Sequence, residues 1–196
     1  MIFLISAISI LALSAIGSLT TGNSPSKATL IGVSGSILGG LFAIVPAFVA
    51  LASGQSAVIL LPWAMPGGNL SLEIDSLSAV FLLPIAVLGL VSAIYGSSSL
   101  RPYGKKPIAL SWFFFNLLFA SMLVVVTARN ALLFLAAWEI MALTSYFLVT
   151  FDHERKEAQA AGWVYLVSTH LATAFLLVLF ALFSSQSGSL DFDTWT

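Results

Sequence analysis

Six apolar stretches dominate this chain, and each is long enough to cross a lipid bilayer. They run over about residues 1–19, 29–52, 77–95, 108–126, 131–150 and 159–184. A spanning helix needs roughly 20 apolar residues. With 196 residues and short linkers, six spans use most of the chain. Runs such as Leu117 to Val126 do not alternate apolar with polar, as the strands of a transmembrane barrel would. The expected fold is therefore all-α, a polytopic membrane protein of about six helices forming a single membrane domain over 1–196. The first stretch lacks the basic start of a secretory signal, so it too reads as a spanning helix.

Composition agrees with this. Hydrophobic residues make up 59% of the chain and charged residues 8%, against about 25% charged in a soluble domain. There is no cysteine, which excludes a disulfide scaffold, a thiolate metal site and an iron–sulfur cluster held by this chain. A net charge of −1 offers no basic field for nucleic acid. No phosphate-cradling glycine loop, nucleophile triad or metal-ligand spacing is present. No catalytic residue, metal or cofactor is expected in this chain.

The linkers read as turns. Thr21 to Ser26 joins the first pair. The second linker carries Pro62, Trp63, Pro66, Gly67, Gly68 and Asn69 and ends at Asp75, placed to cap the third helix. Lys27, Arg101, Lys105, Lys106, Arg155 and Lys156 lie in the odd-numbered linkers, and only Arg129 in an even one. The positive-inside rule then sets the odd linkers in the cytoplasm and both termini outside.

Seven of the eight acidic residues lie in loops or the tail: Glu73, Asp75, Asp152, Glu154, Glu157, Asp191 and Asp193. The eighth, Glu139, sits among apolar residues roughly 12 Å inside the fifth helix. A carboxyl at that depth costs a few kcal/mol or more, and such residues commonly mark ion paths or proton relays. The plainer alternative is a protonated carboxyl hydrogen-bonded to a neighbouring helix as packing glue. His170, in the sixth helix, falls at nearly the same depth, so the two make a candidate relay pair. The plainer reading of His170 is a neutral ring satisfied by Ser, Thr or a backbone carbonyl. Gly35 and Gly39, flanked by Gly32 and Gly40, favour close helix approach. Pro46 and Pro84 are expected to kink their helices, and Trp63, Trp112 and Trp163 to lie in interfacial belts. Asn116, Ser121 and Thr127 either line a wet path or bond to neighbouring groups.

The run Ala137-Trp138-Glu139-Ile140-Met141-Ala142-Leu143-Thr144-Ser145-Tyr146-Phe147-Leu148-Val149 resembles the fifth-helix motif of the antiporter-like membrane subunits. These occur in respiratory complex I, in membrane-bound hydrogenases and formate hydrogenlyase, and in multisubunit cation/proton antiporters. Leu72 to Phe81 is similar to that family's entry to helix three. Gly162 to Leu171 is most similar to the sixth helix of the formate hydrogenlyase branch. The resemblance covers about residues 70–190. It implies a proton-translocating subunit in which Glu139 is the central protonatable group of a hydrated half-channel, tuned in the family by a lysine on a seventh helix. Redox chemistry would then belong to partner subunits, so whether the chain counts as part of an enzyme depends on its complex. The resemblance further implies other membrane subunits as partners and a bacterial or archaeal cytoplasmic membrane as the location. Because family members are longer, this chain is expected to be a fragment, a truncation or a split subunit completed by another chain. An inert structural or assembly subunit and a self-contained small channel are the alternatives.

Overall fold

The computed structural model describes residues 1–22, 24–61, 70–100 and 107–195, the side chain of Leu61 excepted. Expectations placed on Asn23, Pro62, Trp63, Pro66, Gly67, Gly68, Asn69, Arg101, Lys105 and Lys106 lie outside these residues. Among those described, six helices are long and apolar enough to span a membrane. They are α1 (Ile2–Thr20), α2 (Pro25–Ser53), α3 (Ser76–Ser99), α4 (Ile108–Thr127), α5 (Ala131–Val149) and α6 (Lys156–Ser187). The apolar runs located these helices well. Several helices reach further than the runs do: α2 begins at Pro25 and α6 at Lys156. A helix needs apolar side chains only inside the hydrocarbon, so its polar ends continue unmarked by hydropathy. Pro46 and Pro84 both lie inside continuous helices. α2 and α6 end on Gly54 and Gly188, with φ of 66° and 73°, the left-handed region where a side chain is strained.

α2 lies against α1, α3 and α4. α4 also packs on α1 and α5, and α6 packs chiefly on α5. The expected glycine seam produces this arrangement. A Cβ on Gly32 would meet the Trp112 ring, one on Gly39 the Leu11 side chain, and one on Gly40 the Leu90 side chain. At Gly35 it would collide with Ser14. Small residues dominate the core as well, with Ala7, Ala43, Ala47, Ala79, Ala86 and Ala120 around Leu4, Leu11, Leu82, Phe119 and Leu123. Lipid is as apolar as these side chains, so helix association rests on close packing and interhelical hydrogen bonds.

Those bonds centre on Asn116, which is fully buried. Its Nδ2 donates to the carbonyls of Gly32 (3.2 Å) and Trp112 (3.0 Å), and its Oδ1 accepts from the Ser36 hydroxyl at 3.0 Å. The Ser14 hydroxyl on α1 donates to the Ile31 carbonyl on α2 at 2.7 Å. Ser121 and Thr127 donate to carbonyls of their own helix. Of the two expectations for these residues, bonding to neighbours is the one the structure supports. Trp112 is corrected from an interfacial position to the core. It is 1% exposed, and its indole N–H donates to Thr29 Oγ1 at 3.2 Å. A ring packed over a glycine is shielded from the interface.

The second linker was expected to be turns alone. It instead holds two antiparallel strands, β1 (Ala57–Leu61) and β2 (Leu70–Ile74). Leu70-Ser71-Leu72-Glu73-Ile74 alternates apolar with polar, the pattern of a half-buried strand. β2 is further stitched to the α4–α5 link: Leu72 bridges Ala128, and the Arg129 N–H donates to the Ser71 carbonyl. The tail joins in turn, with Asn130 bridging Asp191 and the Phe192 N–H donating to the Arg129 carbonyl. The tail thus folds back over this end of the bundle. A 3₁₀ turn at Phe192–Thr194 sets Phe192 and Trp195 against Phe180.

Charge reinforces this cap. Arg129 Nε donates to Glu73 Oε2, and the same guanidinium stands 3.8 Å from Asp75 and 4.0 Å from Asp193. The bond to Glu73 outweighs burial and raises the proton affinity of Arg129 further. Asp75 caps α3 as expected, accepting from the Ser78 N–H at 2.7 Å. Burial pushes the Asp75 carboxyl up, but the Ser78 bonds and the Arg129 charge together hold it below its ordinary value.

Two outcomes follow. Gly35→Ala should overpack α2 against α1 at a cost of about 1–3 kcal/mol, lowering the thermal midpoint in detergent. Gly17→Ala, whose Cβ would meet only the Cγ2 methyl of Ile31 at 3.2 Å, should change it far less. Asp75, depressed in the folded state, contributes stability that is complete above the ordinary aspartate value of about 3.9. That contribution is lost as pH falls through the lower folded value. Thermal unfolding followed against pH should show this acid limb in the parent chain and a smaller one in Asp75→Asn.

Candidate functional site

The α5–α6 pair carries the chain's candidate chemistry. Asn130 starts α5, its Oδ1 accepting from the N–H groups of Leu132 (2.9 Å) and Leu133 (3.4 Å) while its Nδ2 donates to Asp191 at 2.7 Å. This cap was not singled out from the sequence, although an Asn directly before an apolar run is a helix-start signal. It sets the position of α5, and hence of Glu139 two turns further along. On α6, Gly162 permits close approach: a Cβ there would strike the Thr150 methyl and stand 3.2 Å from the Tyr146 ring.

With the helices so placed, Glu139 and His170 face one another. Glu139 Oε2 lies 3.7 Å from His170 Nε2. A hydrogen bond spans about 2.7–3.2 Å, so a small side-chain rotation would close the gap. His170 Nδ1 lies 2.9 Å from the Leu166 carbonyl. A carbonyl only accepts, so the neutral ring carries its hydrogen on Nδ1 and turns the Nε2 lone pair toward Glu139. The other carboxylate oxygen, Oε1, accepts from the Thr173 hydroxyl at 2.6 Å. The neighbouring-helix bond foreseen as an alternative for Glu139 is thus present, and so is the backbone bond foreseen for His170. Both coexist with the close approach of the two ionisable groups. Thr173 was not recognised from the sequence, where a Thr in an apolar helix gives no signal.

The pair is partly open. The Glu139 side chain is 32% exposed and that of His170 49%, since α6 covers one flank of α5 and itself buries little. The chain therefore does not enclose Glu139 as a half-channel residue was expected to be.

A cleft of about 450 Å³ opens between α4 and α6 over the end of α5. Its walls include Ser111, Phe114, Tyr146, Thr150, Gln159 and Trp163, with Phe114 and Phe147 stacked at 4.4 Å. Tyr146 is two helical turns from Glu139 on the same side of α5, roughly 10 Å along it. Among the described residues no group of three His, Asp or Glu side chains is gathered as a metal site.

Comparison with known proteins gives these observations a setting. Residues 128–196 match the family described as NADH:quinone oxidoreductase/Mrp antiporter, TM. Hydrogenase-4 component B of Escherichia coli (strain K12) is 33% identical over 157 residues, covering 80% of this chain and 23% of that protein. NADH-quinone oxidoreductase subunit L of the same organism is 30% identical, covering 86% of this chain and 28% of its own length. This chain therefore spans about a quarter of these relatives. A subunit of the membrane-bound sulfane sulfur reductase, an archaeal respiratory membrane complex, shares the fold with a TM-score of 0.81 at 24% identity. The match covers 94% of this chain and 37% of that one. The six spanning helices and these sequence matches lead to one conclusion: the chain belongs to the antiporter-like membrane subunits of complex I and hydrogenase-type complexes.

Proposed function

We propose that this chain forms part of a proton-translocating membrane subunit, in which Glu139 and His170 exchange a proton between α5 and α6. The observation that carries this reading is the facing of Oε2 and Nε2 at 3.7 Å, deep within two spanning helices. A carboxyl and an imidazole are expensive at that depth, and packing alone does not require them to meet. The neutral His170 presents a lone pair, so a proton on Glu139 Oε2 can pass to Nε2. That breaks one O–H bond, makes one N–H bond, and leaves a carboxylate beside an imidazolium. Each product charge stabilises the other.

The charge bias of the linkers supports placing the α4–α6 cleft on the cytoplasmic side and the hairpin cap outside. The cleft is then a wide approach for water or protons toward Tyr146 and, beyond it, Glu139. The partners are other membrane subunits of a respiratory or hydrogenase complex, including one that covers the open α5–α6 face. The redox chemistry belongs to other subunits. The location is the cytoplasmic membrane of a bacterium or archaeon.

The test is Glu139→Gln in the assembled complex reconstituted in vesicles, with proton translocation measured by a pH-sensitive dye. Translocation should fall roughly 100-fold, the scale on which a positioned proton-transfer group acts. His170→Gln should lower it in the same direction. Unchanged translocation in Glu139→Gln would assign the chain a structural or assembly role. Proton flux through vesicles holding this chain alone, abolished by Glu139→Gln, would make it a self-contained channel.

A further inference from the structure

The threonine hydroxyls of α4, α5 and α6 share a habit. Thr127, Thr144, Thr150 and Thr169 each donate to a carbonyl one turn back on their own helix, which satisfies a polar group in an apolar setting. Thr173 has the same option, with the Thr169 carbonyl 3.0 Å away. Its hydroxyl nonetheless makes its shorter contact across the helix boundary, 2.6 Å to Glu139 Oε1, and the residue is only 8% exposed. A hydroxyl has one hydrogen and two acceptors here. Of two O–H···O contacts the shorter is the stronger, so the 2.6 Å contact is the one that orders the hydrogen.

The consequence is a division between the two carboxylate oxygens. Oε1 is occupied by Thr173, while Oε2 alone points at His170 Nε2. His170 is restrained from behind in the same way, its Nδ1–H tied to Leu166. We propose that Thr173 is a positioning residue: its hydroxyl pins Glu139 Oε1 and thereby leaves Oε2 as the atom that gives and takes the proton facing His170. Thr173 exchanges no proton itself. Because a carboxyl can accept at Oε1 whether or not Oε2 is protonated, the same contact holds the side chain through both states. Without it, the carboxyl is free to rotate about its last bond and offer either oxygen. This inference rests on the proton-exchange reading of Glu139 and His170, but its structural core, the Thr173–Glu139 contact, can be tested apart from transport.

The experiment uses the complete complex carrying Thr173→Val, which keeps the shape and loses the hydroxyl, and Thr173→Ser, which keeps the hydroxyl. Infrared difference spectra across a pH step read the C=O stretch of Glu139, identified as the band that Glu139→Gln removes. In Thr173→Val this band should move to higher wavenumber, as a carbonyl does on losing a donor, and Thr173→Ser should restore it. Proton translocation should fall roughly tenfold in Val, the factor that corresponds to about 1.4 kcal/mol, and recover in Ser. If the Val variant does not assemble, Thr173→Ala carries the same two measurements. A Glu139 band unmoved by loss of the hydroxyl would overturn the proposal, as would a shift that Ser fails to reverse. Should Glu139→Gln leave translocation intact, the transport reading falls, while the band still decides whether Thr173 holds Glu139.

Discussion

Inside a bilayer a polar group has no water to turn to, and the rest of this structure follows from that constraint. The backbone meets it by remaining helical through each span. The side chains meet it by finding partners on the same helix or across a close helix contact. Asn116 is the clearest case: three bonds, two of them to α2, hold it in the middle of the bundle. Such bonds need backbones that nearly touch. Gly32 and Gly35 provide that closeness, since a Cβ on either would displace Trp112 or Ser14. The glycine seam and the polar contacts are therefore one device. The seam brings carbonyls within reach, and the contacts keep the seam closed.

The same constraint shapes the α5–α6 pair, with a different result. Glu139 and His170 are each half-satisfied by a neighbour, Thr173 and Leu166 respectively, and each keeps one atom turned toward the other. A fully satisfied pair would be structural glue. A pair with no partners would be too costly to keep. This intermediate state, in which one side is anchored and the other is open, suits groups that change protonation during work. The open face of α5 and α6 matches it, because ionisable groups at this depth are better covered by protein than by lipid. At the opposite side of the bundle's length, Arg129 ties β2, the α4–α5 link and the tail together through Glu73 and Asp193. That cap sets where α5 begins, and so the height at which Glu139 is presented.

Much of this was legible in the residues. The spans could be read from apolar runs, the α3 cap from Asp75, the close packing from the glycine spacing, and the unusual cost of Glu139 from its isolation. The β2 strand was also legible, in the alternation of Leu70 to Ile74, but the neighbouring Pro and Gly residues hid it. Other features were not legible. Trp112 looks like any Trp near a helix end, and only the glycine facing it shows that it is core. Thr173 looks like any Thr in an apolar helix, and only the neighbouring helix shows that its hydroxyl meets a carboxylate.

The sequence by itself determined that this chain must cross a membrane as helices, and that Glu139 and His170 lie well inside two of them. Hydropathy and charge are local properties, read one residue at a time, and lipid acts on them directly. What tertiary structure alone decided is which atoms meet. Helix rotation and crossing depend on contacts between residues far apart in the chain, such as Gly162 against Thr150, and turning α5 by one residue's step, about 100°, would carry Glu139 away from His170. The same geometry decides which carboxylate oxygen is anchored and which is left to face the imidazole.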